Sequence, residues 1–328
     1  MMVRFGVIGT NKITEMFLEG ASELSEFKLA AVYSRTEEKA KAFALKHGAE
    51  ATFTSLKEMA DSDVIDAVYI ASPNSLHAEQ SLIFMNAGKH VLCEKPMASN
   101  EKEVKQMIEA AKENGVLLME AMKSTVMPNM QMVRENLHKI GKVRRFVANY
   151  GQYSSRYDAY KEGTVLNAFN PEFSNGSLMD IGVYGVYPVV SMLGKPNSIK
   201  AEGVMLDSGV DGEGSILLGY DDQEAVIMFS KITDSHMPSE IQGENGSILI
   251  DKIGSPMNVT IQYRDGSVED LSQPQQHTMM YEAKAFIELI QSGKTESHIN
   301  SHENSLRSIE VMDEARKQIG VVFPADHR

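Results

Sequence analysis

Along the first third of the chain, short apolar runs alternate with longer stretches in which apolar residues return every three or four positions. The runs at 3–8, 28–34, 66–71, 90–94 and 116–119 read as strands. The stretches 12–24, 37–47, 75–87 and 101–114 read as helices, the last closed by Asn114-Gly115. Parallel strands need a crossover connection and antiparallel ones do not, so strict alternation predicts a parallel sheet with helices on both faces. A doubly wound α/β domain over 1–121 follows.

After about residue 120 the pattern changes. One helix is predicted at 127–140, and then strand-like runs follow one another at 143–150, 199–206, 215–220, 225–230, 247–251 and 259–264. Asp221-Asp222, Glu244-Asn245-Gly246 and Arg264-Asp265-Gly266 supply turns between them. Helices at 178–193, 281–292 and 302–318 complete the series. This predicts an α+β domain over 122–328 with a large, mostly antiparallel open sheet and helices on one face.

Length and charge narrow the function. The 328 residues suit two domains, and 45 acidic against 32 basic residues leave a net charge of −13. Such a surface argues against a phosphate-backbone partner, so no nucleic acid is expected. The lone cysteine, Cys93, excludes an intrachain disulfide and any multi-cysteine metal site, and no metal is expected. No apolar run is read as approaching the roughly 18 to 20 residues of a bilayer span. The first strand starts by about residue 3, which leaves a secretory signal no room. A soluble, cytoplasmic protein acting on a small molecule is the expectation.

Candidate chemistry gathers where predicted parallel strands end. Gly6-Val7-Ile8-Gly9-Thr10-Asn11-Lys12-Ile13-Thr14 leaves the first strand and enters the first helix, the place where backbone N–H groups cradle a pyrophosphate. Of the three small positions in the usual G-x-G-x-x-G/A, Gly9 fills the first, Asn11 the second and Thr14 the third. Asparagine tolerates positive φ better than most residues, which makes Asn11 a workable substitute. Gly9, Thr10, Asn11, Lys12 and Ile13 are the candidate phosphate cradle; a plain strand-to-helix turn is the alternative.

An Asp or Glu at the end of the second strand would bind the ribose hydroxyls of NAD. Tyr33-Ser34-Arg35-Thr36 stands there instead. The Ser34 hydroxyl and Arg35 guanidinium suit a 2′-phosphate, so NADP is the expected cofactor, with NAD possible. A helix cap beside a solvated arginine would look the same. Two further segments, Ser72-Pro73-Asn74 with His77 and Cys93-Glu94-Lys95-Pro96, follow the predicted strands at 66–71 and 90–94. Taken singly, His77 fits a structural helix residue, Glu94-Lys95 a surface ion pair, and Cys93 a buried strand residue without an adjacent histidine.

Taken together, Glu94-Lys95-Pro96 and the upstream Pro73-Asn74 and His77 resemble the glucose-fructose oxidoreductase, inositol dehydrogenase and rhizopine-catabolism (Gfo/Idh/MocA) family, over nearly the whole chain. Asn175-Gly176-Ser177-Leu178-Met179-Asp180-Ile181-Gly182-Val183-Tyr184 resembles that family's second signature, a glycine pair followed by Asp-x-Gly-x-x-His or Tyr. Asn175 replaces the first glycine. Tyr184 and Met119-Glu120-Ala121-Met122 are similar to the dihydrodiol-dehydrogenase-like branch. The arginine that many relatives carry a few residues later is absent from Ser124-Thr125-Val126. The resemblance implies an N-terminal Rossmann domain that binds NAD(P) through the residues named above, Ser72, Asn74, His77, Glu94 and Lys95 among them. It also implies an open C-terminal sheet that packs against a second copy, giving a homodimer.

The residues agree with that activity. Asp180 and Tyr184 stand at i and i+4 and share one face of a predicted helix. Lys95 comes from the other domain, so an interdomain cleft is the expected site. A phenol is too weak an acid to exchange protons freely at neutral pH, and a nearby ammonium lowers its pKa. Lys95, Tyr184 and Asp180 are therefore the candidate catalytic residues for hydride transfer between nicotinamide and a sugar, polyol or related hydroxy or carbonyl compound. The rival reading is a non-catalytic nicotinamide-binding regulatory protein. Retention of both Lys95 and Tyr184 favours the enzyme, because a sensor needs no proton-transfer pair.

Overall fold

Strands β1 (Val3–Ile8), β2 (Phe27–Tyr33), β3 (Ala51–Phe53), β4 (Ala67–Ile70), β5 (His90–Glu94) and β6 (Leu118–Ala121) form one parallel sheet in the order β3-β2-β1-β4-β5-β6. Helices α1 (Lys12–Ala21), α2 (Glu37–His47), α3 (Leu56–Asp61), α4 (His77–Asn86) and α5 (Glu101–Asn114) make the connections. That is the doubly wound Rossmann order, with its switch point between β1 and β4. In the computed structural model, which describes residues 1–327, β4 is buried along its whole length, as a strand covered on both faces must be. The register sets Ile8 beside both Tyr33 and Ile70, and Ile70 beside Cys93. The residues that follow these strands are therefore brought to one edge of the sheet.

The second sheet contains β7 (Val143–Gly151), β8 (Ser198–Met205), β9 (Asp211–Gly219), β10 (Glu224–Ser230), β11 (Ser239–Gly243), β12 (Gly246–Ile250), β13 (Val259–Tyr263) and β14 (Val268–Asp270). Its order is β14-β13-β12-β11-β7-β10-β9-β8, antiparallel except between β7 and β10. Around it lie α6 (Lys123–Val126), α7 (Pro128–Asn136), α8 (Tyr157–Lys161), α9 (Val183–Leu193) and α11 (His302–Ile319), with α10 (Met280–Gln291) preceding α11 in the chain. Ala225, Ile227 and Phe229 alternate inward on β10, and Gly182 and Gly185 let the α9 segment lie directly on them. A Cβ at Gly185 would stand 2.6 Å from Ile227.

The chain divides into two compact units, one of Met1–Met122 with Gln276–His302, the other of Lys123–Gln275 with the residues from Glu303 on. The return of 276–302 to the first unit is not visible in a single cut at 121/122. Its physical basis is aromatic and close. Phe286 of α10 lies 5.8 Å from Phe5, which also meets Phe17 and Phe27. Gly20 lets the α1 backbone approach α10, where a Cβ would come within 2.6 Å of the Met280 nitrogen.

Other departures are local. The short β3, β11 and β14 and the six-residue α3 carry too few apolar positions to show a period. The predicted helix over 127–140 is α7 followed by a tighter turn, Leu137–Ile140. The helix at 178–193 starts as a π-helical turn, Leu178–Gly182, before α9. The segment Pro171–Leu193 is also long and apolar enough, by length and composition, to cross a membrane, contrary to the reading of the apolar runs. Most of it is buried inside the second unit, where it is the core helix.

Candidate functional site

In the first unit, the turn after β1 is shaped by two residues. Gly9 has φ +102°, and a Cβ there would sit 2.6 Å from the Ala71 carbonyl oxygen. Asn11 caps α1: its Oδ1 accepts the Thr14 N–H at 3.1 Å, and its Nδ2 donates to the Ala71 oxygen at 2.7 Å. Its φ of −104° is ordinary extended backbone, so Asn11 is here as a cap and a tie to β4, and tolerance of positive φ is not the reason. Asn11, Lys12 and Ile13 are exposed and Thr10 half-buried, around the N-terminus of α1. A cradle that only glycine fits, facing the start of a helix, is the arrangement that accepts a pyrophosphate.

Ser34 and Arg35 follow β2 beside this turn, Ser34 buried and Arg35 exposed. Thr36 is the N-cap of α2 but makes no side-chain capping bond, so a cap does not account for the segment. Acids begin only at Glu37, which pairs with Lys41.

Ser72, Pro73 and Asn74 form the loop after β4, with Ser72 Oγ donating to Gln80 Oε1 at 2.7 Å. His77 has no exposed surface, so direct contact with a cofactor is closed to it. Its ring is set between two backbone carbonyls, Nε2 at 2.9 Å from the Ser72 oxygen and Nδ1 at 2.9 Å from the Pro96 oxygen. Burial pushes its pKa below the ordinary histidine value. His77 thus clasps the Ser72–Asn74 loop to the turn that carries Lys95. Glu94 is buried and accepts the Tyr69 hydroxyl at 2.5 Å. Lys95 is partly exposed, and its N–H lies 3.2 Å from Glu94 Oε2. Cys93 is buried, with its thiol pushed well up by burial, and is no nucleophile.

In the second unit, every residue from Leu178 to Val190 is buried except Asp180 and Tyr184. The two stand at i and i+4, where the π-helical turn passes into α9, a feature frequent at functional sites. Tyr184 packs edge-on against Tyr150, ring centroids 5.6 Å apart. It is not a packed core ring of the kind that Tyr187, fully buried one turn on, provides.

Two residues that the sequence reading missed hold this turn from the sheet. Asp211, at the start of β9, is fully buried and accepts the Leu178 N–H through Oδ2 at 2.6 Å. A Cβ at Gly176 would come within 2.3 Å of Asp211 Oδ1, which explains the glycine of the second signature. Burial pushes the Asp211 pKa up to about 6, its hydrogen bonds and the Lys231 charge opposing. Lys231, just after β10, is 2% exposed at its side chain and pairs with Asp180 Oδ2 at 2.7 Å. Both lie far from Asp180 in sequence. Only the pairing of β9 with β10, and the Lys231 N–H donated to the Gly212 oxygen at 2.9 Å, sets them together.

Comparison with known proteins supplies the family. Residues 3–122 match the model of an oxidoreductase family with an NAD-binding Rossmann fold, and 131–249 match that of the GFO/IDH/MocA C-terminal domain. The chain is 59% identical over 99% of both chains to scyllo-inositol 2-dehydrogenase (NADP(+)) IolU of Bacillus subtilis. It is 32% identical, over 99% of both, to trans-1,2-dihydrobenzene-1,2-diol dehydrogenase of Danio rerio. Among solved structures, the 3-ketoreductase KijD10 of Actinomadura kijaniata, in complex with NADP and TDP-benzene, aligns with a TM-score of 0.84 at 26% identity, covering 97% of this chain and 98% of that one. The chain therefore belongs to the Gfo/Idh/MocA oxidoreductase family, joining its Rossmann domain to its open-sheet C-terminal domain.

Proposed function

We propose that this protein is an NADP-preferring dehydrogenase that exchanges hydride between nicotinamide and a secondary hydroxyl of a cyclitol, sugar or related polyol. The observation that carries the reading is the partly exposed pair Asp180 and Tyr184 in the otherwise buried stretch Leu178 to Val190, in a chain 59% identical to an NADP-dependent inositol dehydrogenase. A non-catalytic regulator finds no support, since the relatives named above are all named for oxidoreductase activity.

The residues present fit the nucleotide. Gly9 to Ile13 would hold its pyrophosphate, Ser34 and Arg35 its 2′-phosphate, and Ser72, Pro73, Asn74, Glu94 and Lys95 would line the remainder, with His77 acting from behind. When bound, the nicotinamide accepts or supplies the hydride. Tyr184 takes the proton from the substrate hydroxyl in oxidation and returns it in reduction. Lys95 is the ammonium proposed to stabilise the phenolate, and Asp180 accepts from a neighbouring substrate hydroxyl. The second unit also leaves Val204, Met205 and Leu217 exposed on its sheet, beside a trough of about 510 Å³ lined by residues of β7 to β10. A second copy of the chain covering that face, in a homodimer, is part of this proposal.

Mixing the protein with NADP+ or NAD+ and a panel of inositols, aldoses and dihydrodiols, and following nicotinamide absorbance, tests the activity. Substrate-dependent reduction of NADP+ by a cyclitol or sugar is expected. Silence across the panel, in both directions of reaction, overturns it.

A further inference from the structure

Lys231 is a buried cation that the proposed mechanism does not use. Its side chain is 2% exposed, and its Nζ meets Asp180 Oδ2 at 2.7 Å, the Ala168 carbonyl oxygen at 3.1 Å and the Phe169 ring at 5.0 Å from the centroid. The Asp180 side chain is 37% exposed, so the pair runs from the interior to the surface, with the lysine beneath the carboxylate. Lys231 is itself anchored, because its N–H is bonded to Gly212 and the neighbouring Asp211 holds Leu178. Stability alone does not explain such a residue. An apolar side chain of similar volume in place of a buried ion pair is often neutral or stabilising. What an apolar residue could not do is hold the Asp180 carboxylate in a single orientation.

We infer that Lys231 is a positioning residue of the candidate active site, fixing Asp180 to accept a hydrogen bond from a substrate hydroxyl. The inference rests on the reading of Asp180 and Tyr184 as site residues. Lys231 acts through Asp180 and touches no reacting atom.

The test is a double-mutant cycle on the full-length protein with Lys231→Met, Asp180→Asn and the pair combined, assayed with the best substrate of the panel above and saturating NADP+. Lys231→Met is expected to raise the substrate KM and lower kcat/KM by about 10- to 100-fold, with the dissociation constant for NADP+ unchanged within about twofold. In the Asp180→Asn background the same change is expected to cost less than about twofold, because the group it serves is gone. The inference is overturned if the full loss persists in that background, which marks a structural role. It is also overturned if Lys231→Met keeps more than half of kcat/KM while Asp180→Asn costs tenfold or more. If Asp180→Asn is itself silent, the site reading fails and this inference falls with it. Should Lys231→Met not fold, Lys231→Gln is judged by the same criteria.

Discussion

Asn11 and Gly9 divide between them a task usually given to two glycines. Gly9 supplies the left-handed backbone and the clearance from Ala71, while Asn11 caps the helix and ties the turn to the β4 end. Gly9→Ala should therefore weaken NADPH binding at least tenfold and destabilise the fold by about 1 to 3 kcal/mol, as read by nucleotide titration and thermal unfolding. At the end of β2, Ser34 and Arg35 predict tighter binding of NADPH than NADH, by about 1.5 to 3 kcal/mol if charge-assisted bonds to the phosphate form. Titration of both nucleotides at one ionic strength checks this, and equal affinities contradict it. Tyr184→Phe should lower kcat by about 10²- to 10⁴-fold and leave the NADP dissociation constant in place, since the residues proposed to hold the phosphates are others. More than half of wild-type kcat, where chemistry limits the rate, would return Tyr184 to the status of a packed ring.

At the scale of elements, the turn that begins the buried helix is held by groups from the sheet below it, and one of them titrates. Asp211 has a pKa near 6 in the folded chain against an ordinary value of 3.8. A raised carboxyl pKa means that the folded state favours the neutral form. Its contribution to stability is complete below about pH 4 and is lost as pH rises through about 6. Asp211→Asn keeps an oxygen for the Leu178 N–H and removes the charge. Relative to wild type, the variant should gain on the order of 3 kcal/mol between pH 4 and pH 7.5, measured by denaturant unfolding at each pH. A constant difference across that range would show that Asp211 is ionised throughout. This part of the site was invisible in the sequence for a physical reason. Asp180 and Tyr184 lie in the stretch that resembles the family's second signature, and Gly9 and Lys95 follow predicted strands; these are local signals. Asp211 and Lys231 reach the same helix only through the pairing of β9 with β10, a contact distant in sequence. The same distinction runs through the fold. The long helices α2 and α5 were legible to the residue, whereas β11, with Ile241 as its one large apolar side chain, needed its neighbours β7 and β12 to exist.

For the whole molecule, the open question is what covers the second sheet. On β9, Ile216 and Leu218 are buried while the intervening Leu217 is 42% exposed, and on the neighbouring β8 Val204 is 49% exposed. A monomer would leave these side chains in water on a broad sheet face, an arrangement that commonly marks an interface. Burying a fully exposed leucine or valine is worth about 1.5 to 3 kcal/mol, and these side chains are already half-buried, so each adds roughly 1 kcal/mol, and several of them, repeated by two-fold symmetry, can hold a dimer together. A charge placed there is desolvated on association and faces the charges of the second copy. Leu217→Glu with Val204→Lys is thus the wrong probe, because opposite charges could pair between subunits. Leu217→Glu with Val204→Glu puts like charges on both copies. Light scattering should give about twice the 36.3 kDa chain mass for the wild type at micromolar concentration and the single-chain mass for that variant. A wild type that scatters as one chain rules the homodimer out. A variant that stays dimeric with its far-ultraviolet circular dichroism unchanged places the interface on some other surface.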